Sequence, residues 1–409
     1  MPYRMSCRRV SVLAVLVLCP FPVATAHSLP TAASPCPAAA PSCSEVIHGR
    51  DLAYRVVPLP EPALPPSHSF GSDVSESGTL LVSTKLVTPV PPEGEPPPPD
   101  GSTVYLADPG HGVTSLPIET TDCYAGATLS SWKGLSFSAD GSIVGTSDCT
   151  NGESVAAIRD QVVAWPTPTS MPRVLFYTSP KFMSHENVVA NSRGQVMHVD
   201  LQQFTYPYAT QVRVDETTSR EIGGPDAAVD VYGTDLADDG TVVGVSWERD
   251  PAMLRWPHQN AVQKPFVTDR DGTALRELKL PTGMTPPAVT KPPATVKVSP
   301  DGRWILGAFG STTVAWDGAR RPRLLSTTAG IAPVELLKNN RALVNSVWGP
   351  AILASRVVHP ITVKGLPEGA RLESVAHINS AKCIAATLLL ADGRHHAALL
   401  EPIDRLPER

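Results

Sequence analysis

Two places in the chain concentrate imidazole: Ser184-His185-Glu186 and His395-His396. Either could serve acid–base chemistry or metal binding, because the ordinary pKa of histidine lies near neutrality. Neighbouring residues on a strand point to opposite faces, so His395 and His396 cannot ligate one ion from regular β-structure. Both are read as surface imidazoles. Two acidic runs, Asp235…Asp238-Asp239-Gly240 and Asp269-Arg270-Asp271-Gly272, have the oxygen density of a calcium loop. Neither continues to the late glutamate that completes one, so both are read as turns. No Gly-x-Ser-x-Gly and no His-Glu-x-x-His occurs, which removes the nucleophile elbow and the zinc-peptidase helix. Paired carboxylates for glycoside chemistry would come from different parts of the fold and cannot be picked from spacing. No catalytic residue, metal ligand or cofactor-binding residue is assigned, and no cofactor is expected.

Cysteine chemistry is the other candidate. Cys36 and Cys43 share a short Pro/Ala/Ser-rich stretch, and Cys123 and Cys149 flank a hairpin whose turn is Asp140-Gly141. Both pairs are disulfide candidates in an oxidising compartment. Cys383 lies in an apolar run and reads as a small buried hydrophobe. The absence of Cys-x-x-Cys argues against a zinc site.

The elements that would position these residues are short strands. In VSPDGRWILGAF, from Val298 to Phe309, Asp301-Gly302 reads as a two-residue turn between two β-runs. The same hairpin recurs in GLSFSADGSIVGTS from Gly134 and in GTDLADDGTVVGVS from Gly233, each with a second glycine four residues after the turn. Weaker copies centre on Gly78, Gly194, Asn340 and Lys382. The turn positions 78, 141, 194, 240, 302, 340 and 382 recur at a mean spacing of about 51 residues. A third strand ending in tryptophan is expected at Trp165, Trp256 and Trp316, and a fourth short run follows each. The repeated tryptophans are expected to pack between repeats. Four short strands per repeat, with no long amphipathic helix, predict an all-β fold: a β-propeller of seven four-stranded antiparallel blades.

GTDLADDGTVVGVS followed by AMLRW resembles the HAF-type extracellular repeats of bacterial proteins. VSPDGRWILGAF and FSADGSIVGTS are similar to the SPDG blades of TolB-like periplasmic propellers. The likeness covers most of residues 69–401, but only three repeats carry it well, and it implies a fold rather than an activity. Neither family brings a catalytic set.

Residues 1–26 have a basic start (Arg4, Arg8, Arg9), an apolar run from Val10 to Leu18 and Ala24-Thr25-Ala26 before His27. This is the grammar of a cleaved signal peptide, and the apolar run is too short to span a bilayer. A lipoprotein reading through Cys19 is less favoured, because Leu18 stands where a small residue is needed. Losing three arginines and no acid takes the net charge from −5 to −8. An acidic chain without basic clusters argues against nucleic acid and anionic lipid as partners. Residues 27–50 read as a mobile Pro/Ala/Ser-rich leader, residues 51–405 as the propeller, and 89–101 as a proline-rich loop insertion. Leu52–Val57 lacks a hairpin partner nearby. It is expected to close the ring as the outer strand of the last blade, beside His396–Leu400. The whole predicts an exported monomer, periplasmic or extracellular, that binds a protein or glycan at the cell envelope. The alternative is a propeller lyase or glycoside hydrolase with acids at the central channel.

Overall fold

The computed structural model describes residues 47–403 except 61, 63–66, 87–101, 119–127, 151–158, 178–182, 203–208, 214–218, 223–228, 249–260, 271–273, 290–292, 318–320, 328–329 and 338–339. Only the backbone is described at 47, 128–131, 148–150, 159–160, 176–177, 183–186, 200–202, 209–213 and 219. Among the described residues there is no helix, and thus none long and apolar enough to cross a membrane.

Five four-stranded antiparallel sheets follow one another, each a meander in which every strand pairs with the next. The first comprises Ser67–Val74, Leu80–Leu86, Val104–Asp108 and Gly112–Ser115, and the second Thr128–Phe137, Ile143–Thr150, Arg159–Trp165 and Arg173–Tyr177. The third comprises Met183–Ala190, Val196–Gln202, Ala209–Arg213 and Ser219–Ile222, and the fourth Val229–Leu236, Val242–Glu248, Lys264–Thr268 and Leu275–Glu277. The fifth is Thr295–Val298, Ile305–Phe309, Thr312–Trp316 and Pro322–Ser326. A nine-stranded sheet holds the rest. It contains a sixth meander, Ala332–Leu337, Arg341–Ser346, Gly349–Ala354 and Val357–Lys364, and a seventh, Arg371–Ile378, Ile384–Leu389 and His395–Pro402, completed by Leu52–Val57. The first strands pack on one another in chain order, and Arg371–Ile378 packs back on Ser67–Val74. The series therefore closes as a β-propeller.

The hairpin turns explain why the repeat is legible. All seven expected turn residues have positive φ: 88° at Gly78, 85° at Gly141, 74° at Gly194, 88° at Gly240, 70° at Gly302, 56° at Asn340 and 70° at Lys382. The turn is one residue longer than the two-residue form read from Asp-Gly. The Ser138 amide donates to the Ser142 carbonyl at 2.8 Å and the Gly141 amide to the Ser138 carbonyl at 2.9 Å. That is a three-residue loop with its last residue in the left-handed region, which glycine enters without strain. The aspartate steadies it from inside, with Asp140 Oδ1 accepting from the Ser142 amide at 2.9 Å and Asp239 Oδ1 from the Thr241 amide at 3.0 Å.

The second glycine of the repeat makes room for an aromatic ring. A Cβ at Gly145 would lie 2.7 Å from Trp165 Cζ3, and one at Gly307 3.0 Å from Trp316 Cζ3. Both tryptophans are fully buried. Each indole also reaches the preceding meander: Trp165 Nε1 donates to the Pro117 carbonyl at 2.8 Å and Trp316 Nε1 to the Lys279 carbonyl at 2.7 Å. Each of those carbonyls lies two residues beyond a fourth strand. Trp256 lies outside the described residues, and the third strand expected to end in it is instead Lys264–Thr268. There Phe266 takes the position over Gly244, where a Cβ would meet Phe266 Cε1 at 2.9 Å. Cys36, Cys43 and Cys123 lie outside the described residues, as do residues 89–101. Of Cys149 only the backbone is described, opposite Leu129. Cys383 is half-buried with a free thiol.

Leu52–Val57 pairs antiparallel with His395–Pro402 from Tyr54↔Pro402 to Val57↔Leu399. A contact not foreseen in the sequence lies on its other edge. Leu52–Arg55 pairs in parallel with Ile361–Lys364, which is what fuses the sixth and seventh meanders into one sheet. Ile47–His48 also pairs with Val357–Val358, so the expected mobile leader ends before Ile47. Its final residues meet an open strand edge that satisfies their backbone.

Leu52 and Tyr54 are buried to 1% and 0% exposure, and uncovering two such side chains costs on the order of 4 kcal/mol. Deleting residues 51–57 is therefore expected to lower the thermal midpoint sharply, whereas deleting 27–46 leaves it unchanged. Differential scanning calorimetry of both truncations checks this, and a midpoint unmoved by loss of 51–57 contradicts it.

Candidate functional site

Counting back five residues from each turn residue gives Asp73, Ser136, Val189, Asp235, Lys297, Glu335 and His377. These stand one per meander on the first strands, the strands that pack around the ring. In the first, second, fourth, sixth and seventh meanders the pairing register shifts at or just before this residue, between Gly71 and Asp73, Gly134 and Ser136, Gly233 and Asp235, Pro333 and Glu335, and Val375 and His377. A β-bulge re-aims a side chain in this way. Three of the seven are acids, and all three make the same bond. Asp73 Oδ2 accepts from the Phe137 amide at 2.7 Å, Asp235 Oδ2 from the Val298 amide at 2.9 Å, and Glu335 Oε2 from the Ile378 amide at 3.0 Å. In each case the amide belongs to the next meander, four residues before its turn. The carboxylates thus bind neighbouring first strands together.

The remaining valences go to cations at the same level. Lys297 Nζ lies 3.3 Å from Asp235 Oδ1. His377 stands between two acids, with Nδ1 2.8 Å from Glu335 Oε2 and Nε2 3.3 Å from Asp73 Oδ1. Burial pushes the Asp73 carboxyl up to about 6, against the pull of His377 and two backbone amides. Burial depresses the His377 imidazolium, but Asp73 and Glu335 outweigh it and raise its pKa to about 9. Burial likewise raises the Asp235 carboxyl, opposed chiefly by Lys297. Two acids bridged by an imidazole have the composition of a catalytic site, but both imidazole nitrogens and both Asp73 oxygens are already engaged. The group reads as a fastener rather than as an acid–base pair.

The two mouths of the ring differ. Each first strand runs toward a tight turn, closed for example by Ser138 with Ser142 and, one residue longer, by Ser299 with Trp304, so those turns share one mouth. Residues 87–103, 249–263 and 278–294 join strands that open on the other mouth, and they are the long connections. At that mouth the first and seventh meanders bring together His68, Phe70, Glu373 and His395. His395 Nε2 lies 3.1 Å from Glu373 Oε2, and its Nδ1 lies 3.1 Å from His68 Nδ1. The Phe70 and His395 ring centroids are 5.1 Å apart. On the same mouth the turn between Arg341–Ser346 and Gly349–Ala354 presents Trp348, 46% exposed, with its ring 4.7 Å from that of His48.

Several expectations need correction on this geometry. His395 is only partly a surface imidazole, because its amide donates to His68 Nδ1 and its own Nδ1 lies 3.1 Å from that atom, which ties it into the seam between two meanders. Asp235 is not a turn residue but one of the three strand-tying acids. Asp238 and Asp239 do serve turns, accepting from the Ser192 and Thr241 amides. The side chains of His185 and Glu186 lie outside the described residues. Among the described residues no cluster of three or more His, Cys, Asp or Glu could hold a metal ion. Sequence reasoning missed the ring of polar residues, although six of its seven members are polar at one fixed offset from the turns.

No protein-family model matches the chain, and no curated protein sequence matches it. Solved structures share its general shape at 10% sequence identity. Dipeptidyl peptidase 4 of Porphyromonas gingivalis aligns over 72% of this chain and 50% of its own, with a TM-score of 0.43, so the chain spans half the length of that peptidase. The α-L-arabinofuranosidase Arb93A of Fusarium graminearum aligns over 86% of this chain and 98% of its own at 0.41. An oligogalacturonate lyase in complex with manganese aligns over 88% and 99% at 0.40. Likenesses this distant carry nothing about the activity of this chain.

The His377 cluster gives a pH dependence of definite sign. Its pKa is raised from 6.5 to about 9, so its contribution is complete below pH 6.5 and is lost as pH rises through about 9. Thermal midpoints between pH 7 and 10 are expected to fall in the wild type and to fall less in His377→Gln. Asp73→Asn is expected to cost about 1–3 kcal/mol at pH 7.5, as for one lost partner in a buried network. Equal alkaline slopes in wild type and His377→Gln contradict the assignment.

Proposed function

We propose that the chain is an exported propeller whose seven meanders are its blades, and that it acts as a binding module at the cell envelope. Its ligand, a protein or glycan, is taken at the mouth of the long connections. The observation that carries this reading is the engagement of the channel acids. Asp73, Asp235 and Glu335 hold neighbouring strands and counter-cations, so these three acids do not form a free carboxylate pair in the manner of a glycosidase. The opposite mouth combines long connections with the exposed Trp348, a large rigid surface of the kind that anchors binding. Export fits the signal-like first 26 residues and the acidic mature charge.

A propeller enzyme is the second reading, and the Asp73–His377–Glu335 cluster favours it. The raised Asp73 carboxyl has the character of a general acid. One experiment separates the two. The purified mature chain is presented to an array of envelope glycans and, in parallel, to polysaccharides with product detection. Binding without turnover is expected, with Trp348→Ala weakening it at least about tenfold, the loss of one interface anchor. Turnover by the wild type that Asp73→Asn abolishes at a temperature where the variant is still folded would replace the binding module with the enzyme.

A further inference from the structure

We propose that the first and seventh meanders are joined at the long-connection mouth by a proton-sensitive latch, in which His68 holds its partner strand only while unprotonated. The backbone amide of His395 donates to His68 Nδ1 at 3.1 Å. An imidazole nitrogen accepts only through a free lone pair, so this bond fixes His68 as the tautomer with its proton on Nε2. The side chain of His395 then has one consistent arrangement. Its Nδ1, 3.1 Å from the same acceptor, must donate. Its Nε2, 3.2 Å from Glu373 Oε1 and 3.1 Å from Oε2, must donate too, since the carboxylate only accepts, so both ring nitrogens of His395 carry a proton in this arrangement. His68 Nδ1 is thus a shared acceptor for two donors of the seventh meander. One residue pair along, the Ala397 amide donates to Ser69 Oγ at 2.9 Å, which continues the seam.

Protonating His68 at Nδ1 removes that acceptor and sets a cation against the donors. The groups around it reinforce the effect. Lys85 stands opposite His68 in strand register. From the seventh meander come His395, His396 beside it, Glu373, and Arg394 paired with Asp392. Phe70 covers the cluster from the first meander, with its ring 6.4 Å from that of His68. Burial lowers the His68 pKa from 6.5, followed by His395, Lys85 and Arg394, with only Asp392 opposing. A histidine with a depressed folded pKa contributes stability above its unfolded value. That contribution is lost as pH falls from about 6.5 toward the folded value. The His377 fastener has the opposite sign, losing its contribution only as pH rises. The two ends of one seam therefore respond to acid and to alkali separately. The latch lies at the mouth assigned above to the ligand, but its test does not depend on that assignment.

Amide hydrogen exchange of the full mature chain tests it, read as protection factors for the segment around His395 at pH 7.5, 6.5, 5.5 and 4.5. In the wild type, protection is expected to fall by up to about tenfold per pH unit once pH drops below about 6.5, levelling off at the lowered pKa of latched His68. His68→Asn keeps an acceptor oxygen that does not titrate, so its protection stays level across the range. Wild-type protection that stays level, or a His68→Asn variant that loses protection in parallel with the wild type, overturns the proposal. Should the variant fail to fold, the His68 ring proton is titrated by NMR in the wild type. A midpoint below 6.5 supports the latch, and one at or above it refutes it.

Discussion

A carboxylate that accepts the backbone amide of the neighbouring first strand is the interaction on which this ring depends. A meander leaves its first strand with one edge unpaired, and these first strands pack on one another in chain order. Water could solvate their edges, but the ring would then be held by side-chain packing alone. Asp73, Asp235 and Glu335 turn that edge into a directional contact, with amide donors at 2.7 Å, 2.9 Å and 3.0 Å. Charge-assisted bonds of this length are roughly twice as strong as neutral ones. Burying the acids has a cost, seen in the raised Asp73 carboxyl, and His377 and Lys297 offset it from adjacent meanders.

Closure follows from the same need. The strand Leu52–Val57 satisfies the outer edge of the last meander and, through its parallel partner Val357–Lys364, the outer edge of the one before. One short segment thereby binds two meanders. The seam between the last and first meanders is rich in polar ties as well. Asn379 Nδ2 donates to the Ser75 carbonyl at 2.8 Å, the Ser380 hydroxyl meets Glu76, and His377 and His395 act at its two ends. A seam made by chain termini joins residues more than 300 positions apart. Loop-closure entropy must be overcome before such contacts form, and dense polar pairing fits that demand.

The fold was legible in the sequence because its turns are. Gly78, Gly141, Gly194, Gly240 and Gly302 announce positive φ by residue type, and Asn340 and Lys382 fell into place through spacing. Trp165 and Trp316 were legible for a similar reason, since a glycine facing each ring repeats with it. Trp256 shows the limit. The sequence pattern matched a strand ending there, while the fold uses Phe266 over Gly244, because packing reads ring position and not residue name. The ring of polar residues was hidden by the bulges that shift register within the first strands and break simple alternation. His395 was misread because its partner His68 lies 327 residues away, a distance no local pattern spans.

The most direct measurement is residue-resolved amide exchange at Phe137, Val298 and Ile378, compared between the wild type and the single variants Asp73→Ala, Asp235→Ala and Glu335→Ala. If the carboxylates tie adjacent first strands, each variant accelerates exchange at its own target amide most: Phe137, Val298 and Ile378 in turn. Exchange at those amides that is unchanged, or that rises uniformly whichever acid is removed, would contradict it.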